Sequence, residues 1–142
     1  MAAKQEDAHL ILKLYDLRRE EVMRKARNWF GRDFHPKSAE DIVAVLRGEH
    51  SAYLRMITTY WEMACAMVLH GAIDSALFSD CNGEHIFVYA KMEPHLAKLR
   101  ELQKNPRTCA NLEKLVRAMP NSDAMVKAYQ ERIAAMAATA AR

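Results

Sequence analysis

Long apolar runs are missing from this 142-residue chain. Stretches such as "MACAMVL" and "IFVYA" fall far short of the roughly 20 residues that a helix needs to cross a bilayer, so no membrane span is expected. Glycine and proline are scarce, at four of each. That argues against an architecture of tight turns and for long uninterrupted helices. Cysteine is scarcer still: Cys65, Cys81 and Cys109, with no C-x-x-C pair, argue against a disulfide scaffold and suit a reducing compartment. The N-terminal "MAAKQEDAHLILKL" has no basic stretch followed by a long apolar one and a small-residue cleavage site, unlike a secretion signal. The expected location is the cytoplasm. Glycine-rich phosphate loops, nucleophile elbows and H-E-x-x-H are also absent, so no enzyme class announces itself.

What is present is a helix-forming alphabet of Ala, Leu, Met, Glu, Lys and Arg, with 51% hydrophobic and 27% charged residues. The expectation is an all-α single domain over residues 1–142, a bundle of about five to seven helices, with the alanine-rich segment 121–142 as a peripheral last helix. A long first helix is predicted from about Glu6 to Phe30, ending at Gly31. Its core stripe reads Ile11, Tyr15, Val22, Ala26 and Trp29, and a second apolar row, Leu10, Leu14 and Leu17, is left for another helix or for a second copy of the chain. Ser38, three residues before Asp41, starts a short helix to about Arg47. A central helix should run from about His50 to Ala72, followed by a short one capped by Asp74. Then "CNGE" makes a turn, and a helix from Glu84 is kinked or restarted at Pro94. Asn105 and Pro106 are expected to open a helix to about Met119.

Charge is unevenly spread. Residues 18–37 and 91–117 each carry seven basic against three acidic residues, whereas residues 38–90 carry two against seven. Oppositely charged helices lying side by side would explain this without a partner. The basic first helix, through Arg18, Arg24 and Arg27, also offers a nucleic-acid surface. However, Glu20 and Glu21 interrupt it and Trp29 belongs to the apolar stripe, so nucleic acid is the less favoured partner.

One residue stands out in "TTYWEMACAMVLHGAID": Glu62, a carboxylate among aromatic, methionine and alanine neighbours. On a helical wheel Tyr53, Met56, Ile57, Tyr60, Met63, Ala64 and Met67 share the broad apolar face, and Glu62 falls on the mixed side with Arg55, Thr58, Thr59 and His70. Burial would require a partner, for which the first-helix arginines are the candidates. If it instead faces a cleft, a small-molecule-binding or hydrolytic bundle using Glu62 with His70 or Arg27 becomes the reading. Metal binding has one E-x-x-H pair, Glu6 and His9, without the second copy that a two-metal bundle needs, so no metal or other cofactor is expected. Cys65 and Cys109 read as packed apolar side chains, and Cys81 has acidic Asp80 beside it. No catalytic residue is assigned, and the first expectation is a non-enzymatic interaction or scaffold protein that self-associates as a dimer.

The segments "KARNWF", "TTYWEMACAMVLHGAIDSALF" and "LAKLR" resemble a bacterial domain-of-unknown-function family, over residues of about 20 to 117. The matching positions are Ala26, Arg27, Trp29 and Phe30, then Tyr60 and Glu62, then Gly71, Ile73 and Asp74, and finally Leu99 and Arg100. A tryptophan expected late in the proline-containing helix is replaced here by "YAKMEP". The resemblance implies an all-helical fold and no established activity. With His70, it makes Arg27, Glu62, Asp74 and Arg100 a candidate polar cluster.

Overall fold

The computed structural model describes residues 3–141, and among them there are eight helices and no strand. They are α1 (Gln5–Arg18), α2 (Glu21–Arg32), α3 (Ala39–Leu46), α4 (Ser51–Leu69), α5 (Ser75–Cys81), α6 (Glu84–Gln103), α7 (Ala110–Arg117) and α8 (Ser122–Ala140). The all-α expectation holds, with one helix more than the expected range. The extra one comes from a break in the long first helix. Glu20 turns its carboxylate back onto the amides of Val22 (3.0 Å) and Met23 (2.9 Å), capping a new helix where no glycine or proline marks the place.

The break resets the helical phase. A single helix would have buried Tyr15 and Val22 on one stripe; instead they are 53% and 44% exposed, while Ile11 and Leu14 on α1 and Met23, Ala26, Trp29 and Phe30 on α2 enter the core. Gly31 lies within α2, and the C-cap is Asp33. The Ser38 cap on Asp41 and the Asp74 cap on Leu77 form as the sequence indicates. Gly71 adopts φ +82° after α4, a left-handed conformation that glycine reaches without a steric penalty.

α4 is the centre of the bundle, packed against α2 on one flank and α7 on another. Its buried face is Leu54, Ile57, Trp61, Ala64, Cys65 and Val68, with Tyr60 at the border. The helical wheel puts Met63 on the apolar face and Trp61 off it, whereas Met63 is 41% exposed and Trp61 is wholly buried. The buried Tyr60 hydroxyl donates to the carbonyl of Leu14, tying α4 to α1.

α6 runs continuously through Pro94. Proline has no amide for the carbonyl of Ala90 four residues back. Gln130 of α8 supplies the missing donor, its Nε2 lying 3.2 Å from that carbonyl and 3.0 Å from Glu93. The last helix packs along α6 and joins the shared core through Val126. α7 begins at Ala110, later than the Asn105–Pro106 signal indicated, because residues 106–109 form turns before it.

Candidate functional site

Glu62 lies on the side of α4 that faces the start of α7. Cys109 occupies the N-cap of α7 and its side chain caps no amide; the amide of Ala110 reaches the carbonyl of Arg107 (3.1 Å), and those of Asn111 and Leu112 are left for another partner. Glu62 takes that place from another helix. Its Oε2 accepts from the amide of Asn111 (3.0 Å) and from Asn111 Nδ2 (2.8 Å), and its Oε1 from the amide of Leu112 (2.8 Å). A carboxylate against the positive end of a helix dipole, with both oxygens accepting, is a stabilising arrangement for a half-buried acid. The expected arginine partner from the first helix is replaced by backbone amides of α7.

Beside this cap a cleft of about 700 Å³ opens between α3, α4, α6 and the segment leading into α7. Ile42, Leu54, Met92 and Leu99 form a buried apolar floor, and Arg55, Thr58, Thr59, Glu62, Gln103 and Arg107 are among the polar residues around it. The two threonine hydroxyls donate to the carbonyls of Leu54 (2.9 Å) and Arg55 (2.5 Å) within α4. Cys109 also lines the cleft, but burial, reinforced by the Glu62 charge, pushes its thiol up to about 12. The same two causes raise Cys65. Thiols held protonated in this way are poor nucleophiles.

The candidate polar cluster divides into separate networks. Arg27 donates to Glu84 at 3.0 and 3.1 Å, and Arg18 reaches the same carboxylate at 3.5 Å. Asp74 caps α5, and its own amide donates to Asp7 (3.2 Å). His70 is an exposed C-cap residue of α4. Only Arg100 shares the neighbourhood of Glu62: it donates to the carbonyl of Thr108 (2.9 Å) and to Glu113 (3.1 Å), bracing the approach to α7. Of the basic trio, Arg18 and Arg27 are engaged with Glu84, and Arg24 is exposed. Of the leucine row, Leu14 is 4% exposed and therefore closed to a partner, Leu10 is half-buried against the core and Leu17 is 42% exposed. Glu6 and His9 are both exposed, and among the described residues no three His, Cys, Asp or Glu side chains converge as metal ligands.

Two buried polar residues escaped the sequence reading. Lys91 reverses the logic of Glu62: its ammonium donates to the carbonyls of Phe30 (2.6 Å) and Phe34 (2.9 Å), at the C-terminal end of α2, and lies over the Phe30 and Phe87 rings. Burial pulls its pKa down to about 8. A lone charge in "IFVYAKM" is the same kind of signal as Glu62 in its helix. His85 is fully buried between Trp61 and Phe78, neither ring nitrogen has a partner among the described residues, and burial lowers its pKa to about 4.

Among the described residues, no helix is long and apolar enough to cross a membrane. No curated protein and no solved structure matches the chain. A family model matches residues 4–119, spanning α1 to α7 and leaving α8 outside, and by that match the chain belongs to the family described as Domain of unknown function (DUF4760).

Proposed function

We propose that this protein is a cytoplasmic, non-enzymatic binding module whose ligand is a small, largely apolar molecule held in the cleft beside Glu62. The observation that carries this reading is the cleft itself, of about 700 Å³ with an apolar floor and a polar rim. Its volume falls within the range of ligand pockets, and that mixture of surfaces is the usual one. The chemistry around it favours binding over reaction. Both Glu62 oxygens are engaged by α7, His70 lies outside the lining, and Cys109 is held as a thiol.

The test is titration with the neutral, solvent-sensitive dye Nile red, read by fluorescence. Saturable binding is expected in the wild type and a loss of about tenfold or more in Thr59→Trp, where an exposed rim residue grows into the cleft. Equal binding by a folded Thr59→Trp protein, or no saturable binding at all, would reject the reading.

Self-association is a second reading, supported by a different surface. Four large apolar side chains, Leu12, Tyr15, Leu17 and Val22, are exposed around the elbow between α1 and α2. A dimer through this elbow should dissociate in Leu12→Glu/Leu17→Glu. Light scattering that returns a monomer mass at every concentration for the wild type would reject it.

A further inference from the structure

Resting on the cleft as a binding site, we infer that its ligand is an amphipathic anion, with an apolar body on the Ile42, Leu54, Met92 and Leu99 floor and an oxyanion head at Arg55 and Arg107. The charge of the cleft points this way. Among the described residues Glu62 is the single acid in its lining, and three N–H groups of α7 occupy its oxygens. Arg55 and Arg107 are both exposed on the lining, and neither has a carboxylate within ion-pair distance among the described residues. Arginines elsewhere in the interior networks behave differently: Arg18 and Arg27 share Glu84, Arg100 holds Glu113, and Arg117 holds Glu93 and Asp123. The cleft therefore presents two guanidinium groups that, among the described residues, form no ion pair.

Local structure fixes where these groups start from. Ser51 Oγ accepts from Arg55 Nε at 3.3 Å, one turn back on α4, which leaves both terminal nitrogens of the guanidinium for a ligand. The amide of Arg107 donates to Asn105 Oδ1 at 3.0 Å, shaping the turn that presents its side chain. A guanidinium offers a planar fork that matches a carboxylate with two parallel hydrogen bonds, and beside an apolar wall such a pair is less screened than in open water. The thiol of Cys109 and the amides of Gln103 and Asn105 complete a lining with no further acid to repel an anion.

The experiment is calorimetric titration of the whole chain with decanoate, below its micellar concentration, and in parallel with decan-1-ol, each also against Arg55→Gln, Arg107→Gln and the double variant. Decanoate should bind the wild type about tenfold or more tighter than decanol, as expected for a charge-assisted pair. The double variant should bind the two alike while still binding decanol as the wild type does. The advantage of decanoate should also shrink as salt is raised. Equal affinities in the wild type, with binding intact, overturn the anion assignment and leave the apolar cleft standing. A decanoate preference that survives the double variant overturns the assignment to these arginines. Failure of both probes, together with failure of Nile red, overturns the cleft as a ligand site altogether.

Discussion

Replacing Glu62 by Gln keeps the volume of the side chain and removes half of its capacity to accept. The wild-type carboxylate serves two backbone amides, one from each oxygen, plus Asn111 Nδ2. In Glu62→Gln the amide nitrogen of the side chain must face one of these donors, whichever way the group is turned. One helix amide then loses its acceptor, at a cost of roughly 1–3 kcal/mol, and the favourable charge at the helix N-terminus is lost as well, worth about 0.3–1 kcal/mol. A loss of about 2–3 kcal/mol follows. For a chain of this size that lowers Tm by about 5–10 °C. Urea unfolding followed by circular dichroism measures the free energy, with the m-value checking that the denatured state has not changed. Asn111→Ala provides the comparison. It removes one of the three donors and leaves both backbone bonds, so it should cost about 1 kcal/mol. A Glu62→Gln protein within about 0.5 kcal/mol of the wild type would refute the cap as a determinant of stability.

Acid should expose His85. Its folded pKa is held at about 4 by burial, against 6.5 for the ordinary side chain. As pH falls below 6.5 the unfolded chain takes up this proton while the folded chain does not, so stability drains away down to about pH 4, by a total of about 3 kcal/mol. His85→Leu should abolish that component and, because neither ring nitrogen has a partner among the described residues, leave stability at pH 7 unchanged or improved. An identical acid profile in the two proteins, measured by denaturant titration at several pH values, would contradict this account. Gln130→Leu should cost about 1–2 kcal/mol by leaving the Ala90 carbonyl without its donor beside Pro94. In Gln130→Leu/Pro94→Ala the new backbone amide can bond that carbonyl, so most of the loss should return; no recovery would show that α8 is not compensating for the proline.

Much of the helical framework was legible along the chain because its signals are local. Ser38 and Asp74 cap their helices through amides three residues away, and Gly71 turns left-handed where α4 ends. The break at Glu20 was not legible. It depends on a carboxylate curling back over two amides inside a run of good helix formers, and nothing in "LRREEV" distinguishes that from a continuing turn. A stripe drawn straight across the break puts Tyr15 and Val22 in the core with Ile11, Ala26 and Trp29, and only the last three are buried. The buried face of α4 was misjudged for a related reason: with apolar residues on most of its circumference, only the positions of its neighbours decide that Trp61 is interior and Met63 is not.

Composition and periodicity by themselves determined that the chain is all-helical, that helices would begin at Ser38 and Asp74, and that a carboxylate at position 62 needed an explanation. These follow from rotamer and backbone preferences acting over a few residues. Tertiary structure alone decided what Glu62 touches. Its partners lie 49 and 50 residues further along the chain, Lys91 reaches carbonyls 57 and 61 residues before it, and Gln130 repairs a helix 40 residues back. Hydrogen bonds at helix ends are fixed in direction but indifferent to which part of the chain supplies the partner. That supply is settled when the helices pack, and the cleft between α3, α4 and α6 is a product of the same packing.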